Sequence, residues 1–150
     1  MIRVRKISRN ERGAAAIEMA FALPIMIVMI WAFVQLAQVY RAMAGIQQAL
    51  GEGARYATLC LSPTNSGCTI PTGSTINTKI HDAVYGIGPG TFKVNPDASG
   101  TEAAPTLQTD SSGGKYYDLT VTYTQPTNLL MFRGPTISVS RSKRVWVATT

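Results

Sequence analysis

From Met19 to Tyr40 the chain runs for 22 residues without a charge. About 20 apolar residues in a helix suffice to cross the hydrocarbon core of a bilayer. This run therefore claims much of the N-terminal third for a membrane helix and leaves room for one modest domain in the remainder. Alanine, leucine, methionine and isoleucine dominate residues 14–40, and no glycine interrupts them. Pro24 removes one backbone donor and crowds the preceding turn, so the sequence predicts a kink near Phe21–Pro24. Trp31 lies too deep in the run for an interfacial anchor and is assigned to protein packing. Tyr40 fits the outer aromatic belt.

Charge sets the direction of this segment. Arg3, Arg5, Lys6, Arg9 and Arg12, less Glu11, supply four of the six net positive charges. Such an arm ahead of an apolar run keeps the N-terminus cytoplasmic and sends the C-terminus outward. The rest of the chain is close to neutral, so its basicity does not point to nucleic acid.

The helix is expected to continue beyond the membrane. Val39, Met43, Ile46, Leu50, Ala54, Ala57 and Leu61 recur every three or four residues, which places them in one stripe. Gln38, Arg41, Gln48, Glu52 and Arg55 fall largely off it. Gly45, Gly51 and Gly53 each weaken a helix by about 1 kcal/mol relative to alanine, and they let another backbone approach closely. One helix from Ala14 to about Leu59 would be roughly 70 Å long at ~1.5 Å per residue.

Cys60 and Cys68 bracket seven residues rich in turn formers. On the outer side of a membrane a disulfide is the expected state. Free or intermolecular thiols are the alternative. A metal site is a third reading, but it needs two further ligands, and the one histidine, His81, stands alone. A short amphipathic helix is predicted over Thr75–Ile87, where Ile76, Ile80, Ala83, Val84 and Ile87 share a face. His81 reads as a boundary histidine. Thr91–Asn95 suggests a strand, and residues 96–114 read as a long exposed loop whose Asp97, Glu102 and Asp110 are solvated charges. Two alternating segments, Lys115–Gln125 and Thr136–Ala148, read as half-buried strands. In the second, Arg141 and Lys143 interrupt the face formed by Ile137, Val139, Val145 and Val147. An apolar connection containing Leu129, Leu130, Met131 and Phe132 joins them. The fold class is thus α+β: a long N-terminal transmembrane helix extending into a small outer head with an antiparallel sheet. The expected divisions are a basic leader (1–13), the transmembrane and extended helix (14–60) and the head (61–150). No nucleophile–base pair, metal cluster or phosphate-binding glycine loop suggests an enzyme or a cofactor.

Glu18 is the one charge near the start of the greasy helix, and a carboxylate in lipid costs several kcal/mol. One reading makes it a headgroup-level residue paired with Arg12 or Lys6. A cleaved signal peptide with Ala42-Met43-Ala44 as its cut site is a second reading, but the apolar run far exceeds a signal core. The third reading rests on a resemblance. The order Glu11-Arg12-Gly13-Ala14-Ala15-Ala16-Ile17-Glu18-Met19-Ala20-Phe21-Ala22-Leu23-Pro24, continuing through Tyr40-Arg41 to Gly53-Ala54-Arg55-Tyr56-Ala57, resembles the TadE-like minor pilins, or pseudopilins, of the tight-adherence pilus.

The resemblance implies cleavage after Gly13 by a membrane prepilin peptidase, with Ala14 as the new N-terminus. Glu18 becomes the fifth mature residue, placed to meet an N-terminal ammonium in a bundle of helices. It also implies an inner-membrane protein with a periplasmic head. The implied partners are other pilins and pseudopilins through the helix, an inner-membrane pilus assembly platform, and lipid. Major pilins of this system tend to carry an aromatic residue where Met19 stands, and they have little head. An unprocessed bitopic scaffold of the same machinery is the alternative.

Overall fold

A computed structural model describes residues 11–60, 68–130 and 133–148, with side chains from Gly13 onward. The basic leader up to Asn10, Leu61, and Met131 and Phe132 of the apolar connection lie outside the described residues.

Helix α1 spans Glu11–Ala57, 47 residues, and runs through Pro24 without losing its helical assignment. Alanine, leucine and methionine, frequent from Ala14 to Ala44, favour the helix, and Pro24 does not end it. Its last turn tightens, with the Thr58 N–H shared between the carbonyls of Ala54 and Arg55. The Thr58 hydroxyl also donates to the Arg55 carbonyl at 2.9 Å. Two residues on, Cys60 is joined to Cys68 by a disulfide, S–S 2.01 Å.

Helix α2 spans Gly73–Ala83. It starts two residues before the expected Thr75 because the Thr72 hydroxyl caps it, accepting the Thr75 N–H. It stops four residues short of the expected Ile87, because Val84 is already extended (φ −73°, ψ 130°) and Gly86 takes a left-handed turn at φ 70°. Val84 and Ile87 still pack on the core, from the connection rather than from a helix face.

The sheet is antiparallel throughout. It comprises β1 (Thr91–Val94), β2 (Gln108–Thr109), β3 (Lys115–Asn128) and β4 (Arg133–Val147). Strand β3 is central. β4 follows one edge from Lys115↔Val147 to Asn128↔Arg133, with an irregularity at Pro126–Asn128, where proline cannot donate to the ladder. The short β1 and β2 take different parts of the other edge. The segment from 96 to 114 is exposed over most of its length, as expected, but it is pinned. It contributes β2, an isolated bridge between Pro96 and Glu102, and an Ala103 carbonyl that accepts from the Asn77 amide at 2.9 Å.

The core lies between α1 and α2 on one side and the sheet on the other. Tyr117, Leu119, Val121, Tyr123 and Gln125 of β3 alternate inward and are buried. From α1 come Val39, Ala42, Ile46, Ala49, Leu50, Ala54 and Ala57, and from α2 Ile76 and Ile80. The predicted stripe on α1 is thus the buried face, with Met43 half-buried against it and Ala42 and Ala49 added. Two of its glycines make room for neighbours: a Cβ at Gly45 would strike the Tyr85 carbonyl oxygen, and one at Gly53 the Ile80 side chain. Gly51 meets nothing. On β4, Arg141 and Lys143 share the inward register with Val139 and Val145 yet remain exposed.

Candidate functional site

The residues of the expected processing segment, Gly13, Ala14, Glu18 and Met19, all lie in the first turns of α1, exposed. Ala14 and Glu18 are four residues apart and therefore share one helix face, a turn from each other. Among the described residues Glu18 has no ion-pair partner. Lys6 and the Arg12 side chain, the partners weighed for it, lie outside them.

Beyond Glu18 the helix is bare on all sides. Phe21 is 72% exposed, Ile25 62% and Ile30 55%, all apolar, with Pro24 in their midst. Such a surface does not persist in water, whereas lipid covers it at no cost. α1 is long and apolar enough to cross a membrane once.

The head begins at Trp31. The Trp31 indole N–H donates to the Asn128 carbonyl at 2.7 Å. The Gln35 side-chain amide takes both backbone groups of Asn128: its Nε2 donates to the carbonyl and its Oε1 accepts the N–H. One turn further, Gln38 accepts from Gln125 at 3.4 Å, and Gln125 accepts the Tyr123 hydroxyl at 2.7 Å. Trp31, Gln35 and Gln38 thus fasten the last residues of β3 to the helix. They also account for β3 reaching Asn128 rather than ending at Gln125, since Gln35 serves the Asn128 backbone as a neighbouring strand would.

These contacts revise two expectations. Trp31 does pack against protein, but by a polar bond at the lower rim of the head. Tyr40, 63% exposed, stands beside the head, nine residues or about 13 Å further along at ~1.5 Å per residue, not at the end of the bare segment. That segment is residues 13–30, about 27 Å long by the same rise, close to a bilayer core of about 30 Å. Of the apolar segment expected over 14–40, the head thus leaves bare the part up to residue 30. The sequence did carry the signal: Gln35 and Gln38 are polar residues within the uncharged run, and a glutamine amide in hydrocarbon needs a partner.

The described residues of the head hold no concentrated chemistry. His81 lies 3.1 Å from Glu102 and against Phe92, with ring centroids 5.0 Å apart. The other carboxylate oxygen of Glu102 accepts the Val94 N–H at 2.8 Å, so the pair ties the 96–103 loop to β1. On the outer sheet face Asp118 accepts two bonds from Arg144, at 2.8 and 3.0 Å. The guanidinium lies 4.2 Å over the Tyr116 ring. Hydrogen bonding from Arg144, aided by its charge, holds the Asp118 carboxyl below the usual carboxylate range. The Ser99 hydroxyl, with the Thr101 N–H, does the same for Asp97 in its turn. Burial pushes the Tyr117 and Tyr123 phenols up. A shallow cavity between the helices is lined by Glu52, Arg55, Tyr56, Lys79 and Asp82, with Lys79 over the Tyr56 ring. Among the described residues no three His, Cys, Asp or Glu side chains come together as metal ligands.

No curated protein and no solved structure matches the chain. Residues 13–55 match the family model described as TadE-like protein, a segment that begins at the glycine before Ala14 and ends within the last turn of α1. The helix that carries Glu18 near its start is therefore similar to TadE-like proteins over this segment.

Proposed function

We propose that this is a single-pass inner-membrane pilin-like protein that supports assembly of a tight-adherence pilus, with its N-terminus cytoplasmic and its head periplasmic. The family relates the chain to pilin-like, structural proteins of that pilus. The observation that carries the reading is the lone Glu18 carboxylate at the inner end of a helix otherwise bare and apolar from Gly13 to Ile30.

In this reading a prepilin peptidase cleaves after Gly13, and Ala14 becomes the N-terminus. A lone carboxylate on an apolar helix is costly by itself and tolerable when an ammonium meets it in a water-free bundle. Glu18 supplies that charge, and Met19 follows it on a helix that other pilins and pseudopilins pack against. Lipid stores the helix until the inner-membrane assembly platform brings those partners to it. The Cys60–Cys68 bridge secures the outer end of the helix to the head.

Mass spectrometry of the protein extracted from membranes tests the processing step. The expected species begins at Ala14, and an intact leader in cells with active peptidase overturns it. Glu18→Ala tests the pairing. Pilus assembly is expected to be lost while the head unfolds at an unchanged temperature. Normal assembly by the variant favours an unprocessed scaffold.

A further inference from the structure

The lower rim of the head sits where the bare helix ends, and β3 descends alongside α1 to reach it. Gln125 meets Gln38 and Asn128 meets Trp31. Seven helical residues at ~1.5 Å and three strand residues at ~3.3 Å both cover about 10 Å, so helix and strand step down together. Asn128 pairs with Arg133 as the last rung of the β3–β4 ladder. Leu129 and Leu130 follow that rung, at the end of the hairpin nearest the bare segment.

Two features there have no use inside the head. Leu130 is 55% exposed and adopts φ 66°, a left-handed conformation that a leucine side chain disfavours. Asn128 supports it, its side-chain oxygen accepting the Leu130 N–H at 3.2 Å. Arg133, across the rung, is exposed and without an acidic partner among the described residues. A strained, outward leucine, an unpaired cation and a half-exposed Trp31 thus lie at one level along the helix axis. That level is about 27 Å from Gly13 at ~1.5 Å per residue, where an outer membrane interface falls. Indole rings favour this layer, and arginine reaches from it to anionic headgroups.

We infer that the β3–β4 hairpin end is a lipid-binding surface: Leu130 enters the outer-leaflet interface beside Trp31, and Arg133 meets the phosphates. This rests on the reading that residues 13–30 cross a bilayer. It adds that the head rides on the membrane at two points, helix and hairpin, which fixes its tilt.

Reporter positions in the full-length protein test this. Leu130→Cys, Arg133→Cys, Ile25→Cys and Ser140→Cys are each labelled with an environment-sensitive fluorophore, the native cysteines being joined to each other. The proteins are reconstituted in phosphatidylcholine–phosphatidylglycerol vesicles, with and without lipids bearing a nitroxide high on the acyl chain. Ser140 lies about 23 Å up β4 from Arg133 at ~3.3 Å per residue. The expected result is a blue-shifted label at position 130, quenched several-fold more strongly than at 140, with position 133 intermediate. If position 25 is quenched while 130 and 133 behave like 140, the head stands clear of the membrane and the inference falls alone. A blue shift at 130 without nitroxide quenching means protein, such as a second copy, covers the tip, and also overturns it. If position 25 itself escapes quenching, the membrane-spanning reading fails and the inference falls with it.

Discussion

The inner and outer halves of α1 are built from the same kinds of residue yet lie in different surroundings. From Ala14 to Ile30 every face is apolar and uncovered, and one charge, Glu18, interrupts it. From Gln35 to Ala57 one face is buried against α2 and the sheet, while polar residues such as Gln47, Gln48, Glu52 and Arg55 face outward. In the outer half water drives the packing, so losing apolar area there weakens the fold. Lipid is as apolar as the side chains of the inner half, so affinity between such helices in a bilayer comes from close fit and charge pairing. A single helix thus joins a half packed into the head to a bare apolar half, with Trp31, Gln35 and Gln38 at the junction.

Trimming an apolar residue on each half exposes this contrast most strongly. Ile46→Ala removes a fully buried side chain and is expected to destabilise the head by about 2–5 kcal/mol. Ile25→Ala is expected to leave head unfolding unchanged. Denaturant titrations in detergent measure both, and equal effects would dissolve the distinction. Opening the Cys60–Cys68 bridge by Cys60→Ser with Cys68→Ser should cost about 2–3 kcal/mol for so short a loop. That loss confined to the head would show in the same titration.

At the junction, Gln35→Leu leaves the Asn128 N–H without a partner and is expected to cost about 1–3 kcal/mol. Hydrogen exchange at Asn128 should then accelerate without change at Val121. Uniform acceleration along β3 would mean that the head and helix do not separate there.

The smallest expected effect is on the outer sheet face. The folded Asp118 carboxyl is held below its ordinary value by Arg144. Its contribution is therefore present above the unfolded value and is lost as pH falls through the folded one. Thermal melts at neutral pH should place Asp118→Asn slightly below the parent. The gap should close under acid conditions, and a gap that widens in acid would contradict the assignment.

Much of this was legible in the residues because the signals are periodic. The stripe from Val39 to Ala57, the alternation of Leu119, Val121 and Tyr123, and the uncharged run each repeat with the period of the element they form. The end of α2 was not, because Val84 and Ile87 continue a helical spacing while the chain turns away at Gly86. Asn128 was missed because a backbone carbonyl has no sequence signature. Its partner Gln35 did have one, a polar side chain amid apolar neighbours. Glu18 stood out at once, since a carboxylate in an apolar run is visible without a fold.

The sequence by itself determined the long helix, the three longer strands and the glutamate near the helix start, because periodicity and charge are local properties; β2 lay in a segment that read as loop. Tertiary structure decided where the head meets the helix. That depends on which strand end reaches Trp31 and Gln35, a contact across more than 90 residues. It shortened the bare segment to about the thickness of a bilayer core and set the β3–β4 hairpin at its edge.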